Sequence, residues 1–258
     1  MFIMRGRFCQ KVKTMIKLLE NERIDDLQLN GLKIIQRPSE YCFSSDAVLL
    51  SSFVRATSNQ TIVEFGCGNG VISLLLSAKT NANKIIGVEL QESTAELARK
   101  NVLLNNLDST IEIINHDVSQ ITQTISIESI DVVVTNPPYF ASNSGQQKSC
   151  QQVAISRHES SSCIEQFIIS ANKILKYGGK FYMICKVQRM AEIITILSNN
   201  KLTPKKITLI YPKRNKTPDT FVIECKKGAK HNVLVDDLVV YNQDGSMTDS
   251  AKKLYNKI

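Results

Sequence analysis

The chain has 258 residues, of which 43% are hydrophobic and 22% are charged, a balance typical of globular proteins that excludes wholesale disorder. The formal net charge of +8 favours phosphate-bearing partners such as RNA or DNA, although lysines scattered for solubility explain it equally well. The seven cysteines form no Cys-x-x-Cys pair, and no apolar run reaches the ~18 residues of a membrane span. We therefore expect no disulfide framework, no metal site, no membrane segment and a cytoplasmic location.

The first 14 residues are basic, because Arg5, Arg7, Lys11 and Lys13 occur with no acidic residue. They are either a basic arm or an over-long start, with translation beginning at Met15, and we favour the second interpretation. The remainder, 15–258, is expected to be a single domain, in which 15–60 precede an α/β core of 61–258.

Apolar runs rich in Ile and Val alternate with helical segments from Ile34 onward. The predicted strands are Thr61–Phe65, Lys84–Glu89, Thr110–Asn115, Ile130–Thr135, Lys180–Lys186, Lys206–Tyr211 and Thr220–Lys226. The predicted helices are Val71–Lys79, Ser93–Asn106 and Cys163–Lys176, the last ended by a Gly178–Gly179 cap. This alternation predicts a Rossmann-like α/β fold with a mostly parallel seven-stranded sheet. The loop Pro212–Pro218 is too short for a crossover helix, so the last two strands should form an antiparallel hairpin.

A glycine-rich turn follows the first strand, with Gly66, Gly68 and Gly70 at alternate positions and Glu64 just before them. Glycines allow the backbone to approach a ligand closely. Alone, this pattern is equally typical of an ordinary tight turn.

The next two strands end in polar residues that suit a nucleoside. Glu89 lies nineteen residues after Gly70, where a carboxylate can accept hydrogen bonds from ribose hydroxyls. Asp117 can accept from an adenine amino group, with His116 beside the ring. Either acid alone has the alternative interpretation of a solvated strand end.

The order of these groups favours S-adenosylmethionine over a nicotinamide dinucleotide. A dinucleotide site requires Gly-x-Gly-x-x-Gly, so that a pyrophosphate can lie at the helix N-terminus. This chain has Gly-x-Gly-x-Gly instead. Glu64 would repel a pyrophosphate, whereas it would attract the ammonium and sulfonium groups of S-adenosylmethionine.

The motif Asn136-Pro137-Pro138-Tyr139 follows the fourth strand, at the edge where open α/β sheets bind ligands. The two prolines fix the backbone, and the Asn136 side-chain oxygen with the Pro137 carbonyl can accept both hydrogens of an exocyclic amine. Tyr139 offers a ring on which a flipped base can stack. The alternative is a rigid turn that ends a strand. The polar stretch Ala141–Gln152 is interpreted as a substrate-side loop.

With this motif the chain resembles the Asn-Pro-Pro-Tyr amino-methyltransferases and, more narrowly, the bacterial tRNA1(Val) adenine-37 N6-methyltransferase family. The narrower resemblance covers about 15–245 and depends on Asp25–Leu27, Leu32–Pro38, Phe43–Leu50 and Arg157–Glu159. It implies a class I methyltransferase fold, S-adenosylmethionine as cofactor, tRNA as partner, and a segment 15–60 that covers the cofactor.

The resemblance also implies roles for individual residues. Phe43, Ser44 and Asp46 would line the methionine end of the cofactor, although Asp46 is equally well explained as a helix cap. Arg157 and His158 would contact the substrate, or form an ordinary surface pair. A set of basic residues around the last hairpin would contact RNA phosphates or be merely solvated: Lys205, Lys206, Lys213, Arg214, Lys216, Lys226, Lys227 and Lys230.

Three other functions stay open at this point. A protein glutamine methyltransferase acting on release factors uses the same motif, but the roughly 60 residues before the glycine turn leave little room for its N-terminal bundle. An rRNA guanine-N2 methyltransferase often has a duplicated domain, and no duplication is visible here. A non-catalytic RNA-binding protein would be expected to have lost the glycines, Glu89 or Asn136. The oligomeric state is open, with a monomer slightly favoured.

Overall fold

The computed structural model describes residues 17–39, 42–137 and 156–255, with the backbone alone for 156–162. Several predictions therefore lie outside the described residues. These are the basic segment 1–14, the polar stretch 141–152, Pro138 and Tyr139 of the motif, and the side chains of Arg157 and His158.

The described elements alternate between strands and helices along most of the chain. The strands are β1 (Arg23–Asp26), β2 (Lys33–Gln36), β3 (Thr61–Phe65), β4 (Lys84–Glu89), β5 (Ile111–Asn115), β6 (Ile130–Thr135), β7 (Leu175–Lys186), β8 (Leu202–Lys213), β9 (Thr220–Lys227) and β10 (Leu234–Tyr241). The helices are α1 (Ser45–Phe53), α2 (Val71–Lys79), α3 (Glu92–Leu104), α4 (Ser156–Ile174), α5 (Met190–Asn199) and α6 (Asp249–Leu254).

The main sheet has the strand order β10-β8-β9-β7-β6-β3-β4-β5, and β1 pairs with β2 in a separate antiparallel hairpin. Within the main sheet only β9 is antiparallel to its neighbours. The mostly parallel sheet and the final antiparallel hairpin are thus confirmed. Strands β3, β4, β5, β6, β7 and β8 all end at one edge, named here the carboxyl edge; the opposite edge is the amino edge.

Apolar side chains cover both faces of the sheet. Helices α1, α2, α3 and α6 pack on one face around residues such as Ile62 and Val134. Helices α4 and α5 pack on the other face around Phe65 and Phe181. Because the central strands are buried on both sides, they are continuous apolar runs in the sequence, which is typical of parallel sheets.

An eighth strand, β10, extends the sheet beyond the seven that the sequence predicts. It pairs in parallel with β8, but Asp236 and Asp237 interrupt its apolar run and conceal it in the sequence. Both carboxylates are paired with cations, since Lys206 of β8 lies 2.9 Å from Asp236, and Arg214, directly after β8, lies 2.5 Å from Asp237.

The predicted glycine cap after α4 is wrong. The helix ends at Ile174, and Gly178 and Gly179 lie inside β7, in the irregularity between the Leu175–Ile130 and Lys180–Val132 pairs. Gly178 has φ +78°, and a Cβ on Gly179 would lie 2.9 Å from the Lys176 carbonyl oxygen. The two glycines therefore form a bulge in a strand, because pairing of Leu175 with β6 ends the helix earlier.

Candidate active site

The glycine turn at the carboxyl end of β3 has the backbone that only glycine adopts readily. Gly66, Gly68 and Gly70 have φ of +66°, +55° and +83°, in the region that disfavours other residues. The amides of Gly66 and Cys67 both donate to the Val88 carbonyl, at 2.9 and 3.1 Å. These bonds fix the turn against the tip of β4, and α2 begins directly after it.

Close packing beneath the turn explains a glycine to which the sequence analysis assigns no role. A Cβ on Gly87 of β4 would lie 2.8 Å from Ile113 Cδ1 and 2.9 Å from Cys67 Sγ. Cys67 is itself buried in the turn. Gly87 therefore allows the turn to lie directly against the sheet.

Replacing Gly87 by alanine is expected to lower the free energy of unfolding by about 1–3 kcal/mol, as overpacking of a tight core does. The added methyl must displace Cys67 or Ile113. Urea unfolding of Gly87→Ala and the wild type measures this cost. A difference below about 0.5 kcal/mol would contradict the tight packing.

Glu89 connects the tip of β4 to the glycine turn. Its Oε2 accepts from the Gly68 amide at 2.9 Å, and its Oε1 accepts from the Gln91 amide at 3.0 Å. A carboxylate has about four acceptor positions, so each oxygen keeps capacity for one further donor. The predicted contact with ribose hydroxyls fits this geometry and stays a prediction.

His116 and Asp117 lie on the neighbouring strand tip, as the sequence predicts. The His116 amide donates to the Glu89 carbonyl at 3.0 Å, which places the two tips side by side. Asp117 Oδ1 accepts from the Ser119 amide at 2.8 Å and caps the 3-10 helix Val118–Gln123. Its hydrogen bond to an adenine amino group stays a prediction. Such a bond would have to use the acceptor capacity of this carboxylate that the cap leaves over.

Leu90 is a candidate that the sequence analysis missed. It directly follows Glu89, and its side chain is 66% exposed although it is apolar. Asn115 Nδ2 donates to the Leu90 carbonyl at 2.9 Å and fixes its backbone. An exposed apolar surface beside Glu89 suits a planar ring. The feature of the sequence that could have indicated Leu90 is a leucine at a strand end, where a polar residue is usual.

Glu64 is buried beside the turn rather than open to solvent. The Ser73 hydroxyl donates to its Oε2 at 2.5 Å. Burial, with a smaller contribution from the nearby charge of Glu89, raises the pKa of Glu64 to about 8 against the opposing hydrogen bonds from Ser73. In the protein without a ligand the carboxyl group is thus mostly protonated at neutral pH.

This raised pKa predicts a pH-dependent stability difference between the wild type and Glu64→Gln. A group whose pKa is higher in the folded state gives stability that is complete below about pH 4.5 and is lost as pH rises through about 8. As pH rises from 5 to 8, the free energy of unfolding of the variant should therefore increase by a few kcal/mol relative to that of the wild type, since one pKa unit is about 1.4 kcal/mol. Urea unfolding at several pH values measures this, and parallel profiles would contradict it.

Asn136 lies at the end of β6, next to the tip of β3. The preceding Thr135 hydroxyl donates to the Phe65 carbonyl at 3.1 Å and joins the two tips. The Asn136 side-chain oxygen is buried and has no hydrogen-bond partner among the residues that the structure describes. A buried acceptor without a partner carries a free-energy cost, which a donor from a bound substrate would remove.

The segment before α1 is placed by β2. The Phe43 amide donates to Gln36 Oε1 at 3.0 Å, and Ser44 is the N-cap of α1, accepting from the Asp46 amide at 3.3 Å. The cap is therefore Ser44 and not Asp46. Asp46 lies in the first turn of α1, and its charge helps burial to raise the pKa of Tyr255 to about 12. The predicted cofactor contacts of Phe43, Ser44 and Asp46 stay predictions.

Asn101 joins three parts of the site and was also missed. It is fully buried in α3, its Oδ1 accepts from the Ile35 amide at 2.6 Å, and its Nδ2 donates to the carbonyls of Ile35 and Asn69 at 3.0 and 2.9 Å. These bonds connect β2, α3 and the glycine turn. The only signal in the sequence was an asparagine on the apolar face of a helix.

The basic residues around the β8–β9 hairpin divide between two edges of the sheet. Because β8 runs toward the carboxyl edge, Lys213 ends the strand there, and Arg214 and Lys216 follow it. The others lie toward the amino edge: Lys205, Lys206, Lys226, Lys227 and Lys230. The single basic surface that the sequence analysis considered is thus two separate groups.

Within residues 17–39, 42–137 and 156–255, no helix is both long and apolar enough to cross a bilayer. Nor do the side chains described there include a group of three or more His, Cys, Asp or Glu arranged to hold a metal ion.

This sheet order, with a glycine turn after β3 and acidic tips on the next strands, defines the class I methyltransferase fold. A predicted O-methyltransferase from Agrobacterium tumefaciens superposes with a TM-score of 0.67 at 23% identity, over 82% of this chain and 95% of that one. A geranyl diphosphate C-methyltransferase from Streptomyces coelicolor superposes with a TM-score of 0.52 at 12% identity, over 71% and 75% of the two chains.

The family model of the methyltransferase small domain matches residues 43–200, which is more than half of the chain, so the chain belongs to this methyltransferase family. Similar proteins include two named tRNA1(Val) (adenine(37)-N6)-methyltransferase. The one from Shewanella baltica is 28% identical over 64% of this chain and 68% of the relative. The one from Shewanella sediminis is 27% identical over 82% and 89%.

Proposed function

We propose that the protein transfers the methyl group of S-adenosylmethionine to the exocyclic N6 of an adenine in tRNA, at position 37 of a valine tRNA. The observation that carries this proposal is the buried Asn136 oxygen at the end of β6, next to the glycine turn, for which the described residues provide no hydrogen-bond partner. The names of the Shewanella relatives support adenine-37 as the target.

The residues at the carboxyl edge fit S-adenosylmethionine. Glu89 keeps acceptor capacity for the ribose, and exposed Leu90 offers an apolar surface for the adenine ring. The glycine turn exposes backbone rather than side chains to the ligand. We assign the covering role to the segment before β3, whose β2 strand is joined to the turn through Asn101.

The chain itself contributes mainly orientation to the reaction. When bound, S-adenosylmethionine supplies an electrophilic methyl group. The Asn136 oxygen and the Pro137 carbonyl accept the two N6 hydrogens and turn the nitrogen lone pair toward that methyl. The cofactor would supply the methyl group to N6 and leave as S-adenosylhomocysteine with the electrons of its C–S bond, and the extra proton on nitrogen would pass to water. Such positioning can account for about 7–11 kcal/mol of a barrier.

We assign tRNA as the partner, the cytoplasm as the location, and a monomer as the working state. The positive net charge supports a polyanionic substrate. Among the other functions, a release-factor glutamine methyltransferase would place the methyl group on protein, and an rRNA guanine-N2 methyltransferase would place it on guanine.

Labelled S-adenosylmethionine, incubated with the protein and total tRNA, tests the proposal. Nucleoside analysis should then show label in N6-methyladenosine from tRNA. Label in a methylated guanosine or in protein would contradict it, and binding of RNA without any transfer would indicate a non-catalytic scaffold.

A further inference from the structure

An exposed tyrosine is held in a fixed orientation at the amino edge of the sheet. Tyr177 of β7 is 79% exposed, yet its hydroxyl donates to the Gly228 carbonyl at 2.8 Å. Its ring lies so close to Gly228 that a Cβ there would be 2.1 Å from Tyr177 Cε2, and Gly228 has φ +68°. Gly228 thus packs against one side of the ring, and most of the ring is exposed to solvent.

Exposed lysines from several elements surround this tyrosine. Together with Tyr177 they are named here the amino-edge patch, which comprises Lys173, Lys176, Lys201, Lys226 and Lys230. The Gly228 amide donates to the Lys201 carbonyl at 3.3 Å, and Lys226 Cε lies 3.5 Å from where a Cβ on Gly178 would be. These contacts place Lys201 and Lys226 next to the Tyr177–Gly228 contact, and the other three lysines lie within four residues of Tyr177 or Gly228 along the chain.

Most of the charge in this patch is not neutralised. Lys176 pairs with Asp131 at 2.7 Å. In the described part of the chain no carboxylate lies within 4 Å of the ammonium groups of the remaining lysines: Lys173, Lys201, Lys226 and Lys230. Lys227 differs, since it donates to the carbonyls of Asn172 and Leu175 and holds the fold together.

We propose that the amino-edge patch is a second RNA-binding surface, in which Tyr177 stacks on an unpaired base and the lysines contact phosphates. Aromatic rings beside lysines are how proteins hold single-stranded nucleic acid, because stacking is tolerant of base identity and the cations follow the backbone. The identification of the RNA as tRNA rests on the proposed function.

The patch is distinct from the site around Asn136. Tyr177 lies between Leu175 and Lys180, whose partners on β6 are Ile130 and Val132, so the two sites are about 15 Å apart along the sheet. About five stacked nucleotides span this distance, and a folded tRNA is large enough to contact both edges. The patch therefore contributes affinity for the RNA and takes no part in methyl transfer.

Fluorescence anisotropy with full-length tRNA, in the absence of cofactor, tests the proposal. Tyr177→Ala should raise Kd about 5- to 150-fold, the range expected for one stacked base. Tyr177→Phe keeps the ring and loses only the hydrogen bond to Gly228, so it should raise Kd by a smaller factor than Tyr177→Ala does. Lys226→Ala with Lys230→Ala should make the slope of log Kd against log salt shallower by roughly two.

Matched controls come from the same chain. Tyr241→Ala removes another partly exposed tyrosine, on β10, and Lys252→Ala with Lys253→Ala removes two charges from α6; both should leave Kd near that of the wild type. For Tyr177→Ala, kcat at saturating tRNA should be unchanged. A wild-type Kd for Tyr177→Ala, or an equal loss in the controls, would overturn the proposal. Weakened binding in a protein that methylates no tRNA would instead support the patch and contradict the proposed function.

Discussion

Replacing Asn136 by alanine is expected to lower kcat at least 100-fold and to change the Kd for S-adenosylmethionine less than about threefold. The substitution removes the buried acceptor that is proposed to orient the amine, and loss of one preorganised hydrogen-bonding group in an active site costs about 10²–10³ in rate. Single-turnover methylation of tRNA and calorimetry with S-adenosylmethionine measure the two quantities.

Asn136→Asp is the matched control, because aspartate keeps an acceptor oxygen at the same position. It should retain more activity than Asn136→Ala at equal cofactor affinity. A large loss of cofactor affinity in Asn136→Ala would assign Asn136 to the cofactor instead. Equal activity in Asn136→Ala and the wild type would show that Asn136 has no role in methyl transfer.

Replacing Asn101 by leucine is expected to lower the free energy of unfolding by about 3–5 kcal/mol and to weaken S-adenosylmethionine binding. Leucine fills the volume but leaves the Ile35 amide and the Ile35 and Asn69 carbonyls unpaired in a buried site, and each such group costs about 1–3 kcal/mol. Because Asn69 belongs to the glycine turn, the cofactor site should loosen as well. Urea unfolding and calorimetry measure both effects.

Asn105, which directly follows α3, offers a close control one helical turn beyond Asn101. It makes the same two-way contact with the backbone of Lys33, at 2.8 and 2.7 Å, but at an exposed position and without contact to the glycine turn. Asn105→Leu should cost less than about 1 kcal/mol, because water can replace the lost bonds, and should leave cofactor binding unchanged. Equal effects of the two substitutions would contradict the assigned role of Asn101.

The parts of the fold that depend on local pattern could be predicted from the sequence. The glycine turn, its strand and the helix Val71–Lys79 are consecutive, so glycine spacing and apolar runs locate them. The acidic tip at Glu89 follows from the same alternation, because parallel strands end at one edge.

The features that the sequence did not show depend on residues far apart in the chain. Asn101 bonds to a strand 66 residues earlier, and no local pattern encodes that contact. The aspartates of β10 conceal a strand because their partners lie earlier in the chain, Lys206 on β8 and Arg214 directly after it. Gly178 and Gly179 have the composition of a helix cap, and only the pairing of β7 with β6 makes them a bulge.

The direction of the strands also determines which basic residues lie together, and the sequence alone did not show this. Lys213 and Lys226 are thirteen positions apart, but they lie near opposite ends of the paired strands β8 and β9. A hairpin that looks like one basic cluster in the sequence therefore presents cations to both edges of the sheet. This separation distinguishes the basic residues at the carboxyl edge, where Asn136 also lies, from those around Tyr177.

A structure of the protein with sinefungin, an amine analogue of S-adenosylmethionine, tests the central claim most directly. We expect Glu89 on the ribose hydroxyls and the amine of the analogue beside Asn136, with room for a planar NH2 group about 3–3.5 Å from the transferable position. An adenosyl group bound far from Asn136, or a pocket that selects a nicotinamide dinucleotide instead, would contradict the account.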